Sequence, residues 1–433
     1  MVPRNMAFVP SLNNFSEWAK VIFFMNNSNY KKIASYEVEP GEVDKIVLLY
    51  SGGLDTSMML KWLQDNYQAE VIALTADIGQ QHDDLEKVKQ KALDLGASKA
   101  VVYDAKEKFA EVLKTGIKAN ATYQGGYHLS TPMGRLVLAQ IAVETAEKFG
   151  AQAIAHGCTG KGNDQVRIEG YALSFKHDIK IIAPVREWKM SRDEQIDYAQ
   201  KNGIPVPASH DFPYSVDDNI WGMTWEGGEI EFPDKINPKE KFLTTYTLPK
   251  NAPDQFEQVK IGFDKGVPVS LDGVKLGFIE IVGKLNQIGG KHGVGTVQVV
   301  EDRLVGVKNG GVYEQPGADI LIKAHKALES YANTRELNEL KDQLDIKWAY
   351  LCYGAKLLDP ALKALNAFND YVNQKVTGTV TMELFKGSTY MVAMESENGL
   401  ANASFNNHEG YDFNVNASPG FTEIYTLQMK LAQ

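Results

Sequence analysis

The chain has 433 residues, of which 44% are apolar and 23% charged, and its net charge is −10. That length exceeds what one hydrophobic core usually serves, so two domains are expected, and the acidic balance argues against broad binding to nucleic acid or an anionic membrane. The two cysteines, Cys158 and Cys352, show no metal-ligand spacing and suit a reducing, cytoplasmic setting.

Residues 1–44 read as a polar N-terminal extension with scattered aromatics, closed by the turn signal Pro40-Gly41. Its apolar run, Val21 to Met25, is too short for a secretory core, and nothing in the chain approaches the ~20 apolar residues of a membrane span. Short β-rich runs follow at Lys45–Tyr50, Glu70–Thr75, Lys99–Tyr103, Gln152–His156 and Ile179–Ala183. Helical periods lie between and after them, at Thr56–Asn66, Asp84–Leu95, Lys106–Lys118, Gly134–Phe149, Asn163–Phe175 and Arg192–Asn202. Strands alternating with amphipathic helices predict an α/β domain over 45–207, with a parallel sheet covered on both faces. Near Ile204-Pro205-Val206-Pro207 the pattern breaks, and the composition shifts to Trp, Gly and acidic residues. Strands at Thr296–Val300 and Thr379–Leu384 and a helix over Asp319–Leu344 make 208–415 a second, α+β domain. Residues 416–433 close the chain as a short arm.

The first turn of the sheet reads Ser51-Gly52-Gly53-Leu54-Asp55-Thr56-Ser57. Glycines let a backbone turn tightly and bring N–H groups against a ligand, and the helix that starts at Asp55 and Thr56 offers its positive end to an anion. The hydroxyls of Ser51, Thr56 and Ser57 add donors for phosphate oxygens. The lysine-bearing phosphate loop, G-x-x-x-x-G-K-[ST], is absent from the chain, so this site relies on backbone, hydroxyls and metal. The alternative is an ordinary capped turn, with Asp55 or Thr56 as the cap. The string closely resembles the pyrophosphatase loop of the N-type ATP pyrophosphatases, which cut ATP between its α and β phosphates.

A second glycine loop, Ala155-His156-Gly157-Cys158-Thr159-Gly160-Lys161-Gly162, follows the fourth strand and leads into Asn163, Asp164 and Arg167. Asn163 and Arg167 are four apart and share one helical face. An amide, a carboxylate and a guanidinium beside a phosphate site suit an amino-acid substrate, since arginine forks onto a carboxylate and aspartate accepts from an ammonium.

Both loops resemble those of the argininosuccinate synthase family, and so do three further strings in the same order: Leu74 to Gln80, Tyr123 to Arg135, and Gly290 to Gly317. The resemblance covers about 45–430. It implies an adenine nucleotide α-hydrolase-like ATP-binding domain, a synthetase domain and a homotetramer joined through C-terminal arms. It also implies that ATP adenylylates citrulline, releasing pyrophosphate, and that aspartate then displaces AMP. On this basis Tyr50 to Ser57, Ala76, Gly157, Thr159 and Gly160 are expected to hold ATP, with Asp55 near Mg²⁺. Tyr127, Thr131, Asn163, Arg167, Ser215, Thr224, Glu301 and Tyr313 are expected to hold citrulline. Thr159, Asn163 and Asp164 are expected to hold aspartate, with Asp164 facing the attacking amine and offered as its proton acceptor.

His156 is expected to be a satisfied structural histidine, Cys158 a small filler where the family usually has alanine, and His292 either structural or a substrate contact. Pro132 stands where the family often has serine, which puts one citrulline contact in doubt and raises an acylated citrulline as an alternative substrate. A tRNA thiouridylase is the other alternative, but it would want paired reactive cysteines and a basic face. A non-catalytic nucleotide fold should have lost its loop glycines or the Asn163-Asp164 pair.

Overall fold

The computed structural model describes residues 30–80, 84–188, 190, 192–205, 213–401 and 414–433. Most of the N-terminal extension and the expected domain break at 207/208 lie outside the described residues.

The first domain alternates strands and helices, with two successive helices between β3 and β4 and two after β5: β1 (Lys45–Leu49), α1 (Leu54–Tyr67), β2 (Glu70–Asp77), α2 (Leu85–Asp94), β3 (Lys99–Asp104), α3 (Lys106–Lys118), α4 (Ser130–Phe149), β4 (Ala153–Ala155), α5 (Asp164–Phe175), β5 (Lys180–Ile182), α6 (Pro184–Glu187) and α7 (Arg192–Lys201). The strands pair in parallel in the order β3-β2-β1-β4-β5. Ile46, Val47 and Leu48 are fully buried, as the central strand of a sheet covered on both faces requires. The chain runs outward from β1 in one direction to β2 and β3 and in the other to β4 and β5. The loops after β1 and β4 therefore flank the topological switch point, where open α/β sheets bind ligands.

The second domain is built from antiparallel sheets. One has the order β11-β12-β7-β6, from β6 (Ser215–Asn219), β7 (Gly222–Glu226), β11 (Thr296–Asp302) and β12 (Lys308–Glu314). The other has the order β10-β9-β8-β13-β14, from β8 (Glu257–Asp264), β9 (Val267–Leu271), β10 (Val274–Lys275), β13 (Gly378–Phe385) and β14 (Ser388–Glu395). Its helices are α8 (Phe278–Lys291), α9 (Pro316–Ala332), α10 (Arg335–Tyr353) and α11 (Pro360–Val372), and α12 (Ala417–Tyr425) and α13 (Leu427–Leu431) form the arm.

Two elements depart from the sequence reading. α4 begins at Ser130, four residues early, because Pro132 is its third residue. There the missing N–H would have had no intrahelical partner, so proline is accommodated in the first turn. The single helix expected over Asp319–Leu344 is two helices, divided at Asn333, whose backbone is extended, and Thr334, whose side chain accepts from Leu337 N and caps α10.

Candidate active site

The first glycine loop is held from both sides. Tyr50 N donates to Leu74 O (2.8 Å) and Thr75 Oγ1 donates to Tyr50 O (2.8 Å), which ties the end of β1 to β2. Gly52 has φ +79°, and a Cβ there would meet Val88 of α2 at 2.9 Å, so both conformation and space require glycine. No side chain caps α1 at Gly53, which leaves the first-turn N–H groups free for an anion and sets aside the capped-turn alternative. Ser51 Oγ and Thr56 Oγ1 lie 3.2 Å apart. Ser57 is fully buried and donates to Gly53 O (2.7 Å), so its proton braces the turn from beneath. A lysine does stand at this loop: Lys91 of α2 donates to Gly52 O (2.7 Å), and burial holds its pKa below the usual lysine value.

A cavity of about 620 Å³ opens over this loop. Tyr50, Ser51, Gly52, Gly53, Ala76 and Gly157 line it, with Gln80 and His156. Leu54, Asp55 and Thr56 lie beside it on the first turn of α1 and Gly160 on the exposed second loop, none of them in its lining. His156 is the satisfied histidine expected: Nε2 meets Glu169 Oε1 at 3.1 Å and Nδ1 accepts from Cys158 N.

A second cavity, about 330 Å³, continues from the first, and Arg135, Gly157, Cys158, Val216 and Asp217 line both. All the expected citrulline and aspartate residues line it: Tyr127, Thr131, Thr159, Asn163, Asp164 and Arg167 from the first domain, and Ser215, Thr224, Glu301 and Tyr313 from the second. Strand register explains the second group. Asp217 pairs with Thr224 and Thr224 with Tyr313, a row across three neighbouring strands. Glu301 stands further along β11, opposite Asn309, and Gly311 lets its carboxylate approach the row, since a Cβ there would lie 2.7 Å from Tyr313 Oη and 3.1 Å from Glu301 Oε1. Tyr127 stacks on Tyr313 with ring centroids 3.9 Å apart, and Thr131 Oγ1 donates to Asp217 Oδ2 (2.8 Å).

Most of the charge in this cavity is paired and partly buried. Arg135 Nε donates to Asp164 Oδ2 (2.8 Å), its NH2 to Asp217 Oδ2 (2.7 Å), and Arg167 NH1 to Asp164 Oδ1 (2.9 Å). Burial works to raise the pKa of Asp164, but the two guanidinium groups outweigh it and hold the carboxyl below its ordinary value. That environment suits binding a cation and makes Asp164 a weak base, against its expected role as proton acceptor. Glu301 is the opposite case: burial pushes its carboxyl up to about 7.

Pro132 is buried in α4 and lines neither cavity, so it removes no contact from the site and no longer favours an acylated citrulline. His292 is buried against Glu257 (2.9 Å), also away from both cavities. Five residues of the site escaped the sequence reading: Arg135, Asp217, Glu226, Arg303 and Lys91. Asp217, Glu226 and Arg303 each lie two positions beyond a named residue (Ser215, Thr224, Glu301), and Arg135 lies four beyond Thr131. The periods of strand and helix would have found them.

A nucleotide-type parallel sheet whose switch point opens into a polar, amino-acid-sized cavity closed by a second domain suits an ATP-dependent ligase. The chain matches the Arginosuccinate synthase N-terminal HUP domain over residues 45–205 and the Arginosuccinate synthase C-terminal domain over 214–432. It is 45% identical over 389 residues to the argininosuccinate synthase of Symbiobacterium thermophilum, across 89% of this chain and 97% of that protein. With the argininosuccinate synthase of Pyrococcus furiosus it shares 46% over 390 residues (90% and 94%), and with the chloroplastic one of Arabidopsis thaliana 42% over 394 residues (90% and 80%). The chain belongs to the argininosuccinate synthase family.

Proposed function

We propose that this chain joins citrulline to aspartate at the expense of ATP, in service of arginine synthesis. The observation that carries the reading is the continuity of the two cavities through Arg135, Gly157, Cys158 and Asp217, which allows a nucleotide α-phosphate to meet an amino acid held by both domains. The ureido oxygen of citrulline attacks the α-phosphorus, and the bond to the β-phosphate breaks with release of pyrophosphate. The amine of aspartate then attacks the ureido carbon, loses a proton, and AMP leaves with the C–O electron pair. No protein atom becomes covalently attached, so catalysis is positioning and charge stabilisation.

In this reading Tyr50 to Thr56 receive the phosphates on backbone N–H groups and hydroxyls, with Ser57 bracing the turn, and Ala76 contacts the adenine. Gly157, Thr159 and Gly160 follow the nucleotide. Tyr127, Thr131, Asn163, Arg167, Ser215, Thr224, Glu301 and Tyr313 hold citrulline. Thr159, Asn163 and Asp164 hold aspartate, with Asp164 on its ammonium. Among the described residues no group of three or more His, Cys, Asp or Glu is placed to hold a metal. Asp55, a single exposed carboxylate at the loop, suits Mg²⁺, which keeps most of its shell as phosphate oxygens and water; such an ion would offset phosphate charge there. The exposed apolar arm supports a tetramer, and the two unpaired thiols a cytoplasmic setting.

Pyrophosphate release with ATP and Mg²⁺, with citrulline and aspartate added singly and together, tests the reading. Release that depends on citrulline and is accelerated by aspartate is expected. A requirement for N-acetylcitrulline would redirect the substrate assignment, and absence of turnover alongside tight ATP binding would overturn the ligase assignment.

A further inference from the structure

Residues 30–44 lie upstream of the stretch that the family model matches, yet they are built into the first domain. Ile181 N donates to Tyr36 O (3.0 Å), Lys180 Nζ donates to Ser35 O (3.0 Å), and Glu37 forms a parallel bridge to Ile181. The segment thereby covers the open edge of β5. Val38 and Val43 follow it into the core beside β1.

From this fixed segment Tyr36 donates to Glu169 Oε2 (2.8 Å). Glu169, buried on α5, lies at the centre of a polar cluster, with Arg186 NH1 at 2.8 Å and His156 Nε2 at 3.1 Å from its Oε1. Each of those partners continues to the second glycine loop. His156 Nδ1 meets Cys158 N at 3.2 Å and its Nε2 meets Glu169 Oε1 at 3.1 Å. Arg186 NH1 donates to Gln165 Oε1 (3.1 Å), and Gln165 Nε2 donates to Gly160 O (2.7 Å). Two hydrogen-bonded routes thus run from Tyr36 to the loop backbone, one ending at Cys158, which lines both cavities, and one at Gly160. Burial and the neighbouring Glu169 push the Tyr36 hydroxyl up to about 12, which keeps it a donor at any physiological pH.

We propose that residues 30–44 are a brace for the second glycine loop and that Tyr36 is its positioning residue. Its hydroxyl fixes Glu169, and Glu169 sets the Cys158 amide through His156 and the Gly160 carbonyl through Arg186 and Gln165. The kinetic consequence rests on the reading of this loop as a nucleotide contact.

The chain carries its own reporter. Cys158 is partly exposed on the loop while Cys352 is fully buried, so thiol labelling by a disulfide reagent reads loop order at Cys158. Tyr36→Phe keeps the ring and removes one hydrogen bond, which corresponds to a roughly 2- to 10-fold effect. Labelling of Cys158 in the full chain should accelerate by that factor, the KM for ATP should rise with it, and the KM for citrulline should stay unchanged. Glu169→Gln, which disturbs both routes, should give a larger change in the same direction. Unchanged Cys158 labelling in Tyr36→Phe would overturn the brace, and so would parallel acceleration at Cys352, which marks global loosening. Faster labelling with an unchanged KM for ATP would uphold the brace and count against the nucleotide role of the loop.

Discussion

Asp164 sits between Arg135 and Arg167 with all its partners charged. A carboxylate so placed keeps its charge through the working pH range and contributes by binding. Asp164→Asn preserves size while removing that charge. A charge-assisted hydrogen bond is worth ~1.5–3 kcal/mol, so kcat/KM for aspartate should fall about 10- to 100-fold. Pyrophosphate release driven by citrulline alone should change far less, and equal loss in both half-reactions, measured by pyrophosphate exchange against overall turnover, would refute the assignment. Glu301 offers a pH test at the same scale. Burial lifts its carboxyl from 4.5 to about 7, so in the free protein it is neutral below that pH and ionised above it. If its carboxylate holds the citrulline ammonium, kcat/KM for citrulline should decline as pH falls through about 7, and Glu301→Gln should flatten that limb. The stability sign is opposite: the folded state retains the Glu301 proton that the unfolded chain releases, so this group's contribution is present below 4.5 and lost as pH rises towards 7.

At the scale of elements, the phosphate loop and α2 form one unit. Val88 and Lys91 are one turn apart on α2, the first filling the space that a Cβ at Gly52 would need and the second donating to the Gly52 carbonyl. Lys91→Met keeps the stem and loses the charge and the bond. The KM for ATP should rise about 10-fold, with the KM for citrulline little changed; an unaltered KM for ATP would show that Lys91 contributes nothing to the loop. That lysine was not legible in the sequence, because it lies 39 residues from Gly52 and only the packing of α2 brings it there. The parallel sheet and both glycine loops were legible, since alternation and glycine placement are local signals. Two boundaries were not. Pro132 reads as a breaker unless its place in the first turn is known, and the division at Asn333 and Thr334 depends on a cap that only the backbone path reveals. The site was legible only in part for a related reason: Asp217 is aimed by strand pairing with Thr224, and Arg303, just past the end of β11, is aimed by its contact with Glu226, and neither contact is a local signal.

The whole molecule works as two domains closed on one cavity. Asn163, at the head of α5, donates to Tyr353 Oη (2.8 Å) and accepts from Leu304 N (2.8 Å), and Arg167 donates to Tyr353 O (3.1 Å). The helix that carries the proposed aspartate and citrulline contacts is thereby set against the second domain. What the single chain leaves uncovered is the arm. Phe421, Ile424, Tyr425, Leu427, Met429 and Leu431 of α12 and α13 are all exposed, and helices this short gain little stability alone. A second copy of the chain is the occupant that the proposed tetramer supplies. Burying a large aliphatic side chain contributes ~1.5–3 kcal/mol. The double substitution Ile424→Asp and Leu431→Asp removes two such groups from each arm and should weaken association by a factor on the order of 10² to 10⁴. Sedimentation equilibrium of the full chain should give a tetramer for the parent and smaller species for the variant at the same micromolar concentration. A monomeric parent, or a variant that stays tetrameric, would refute the role given to the arm. Because both cavities lie within one chain, the dissociated variant should still release pyrophosphate with citrulline, which separates loss of assembly from loss of chemistry.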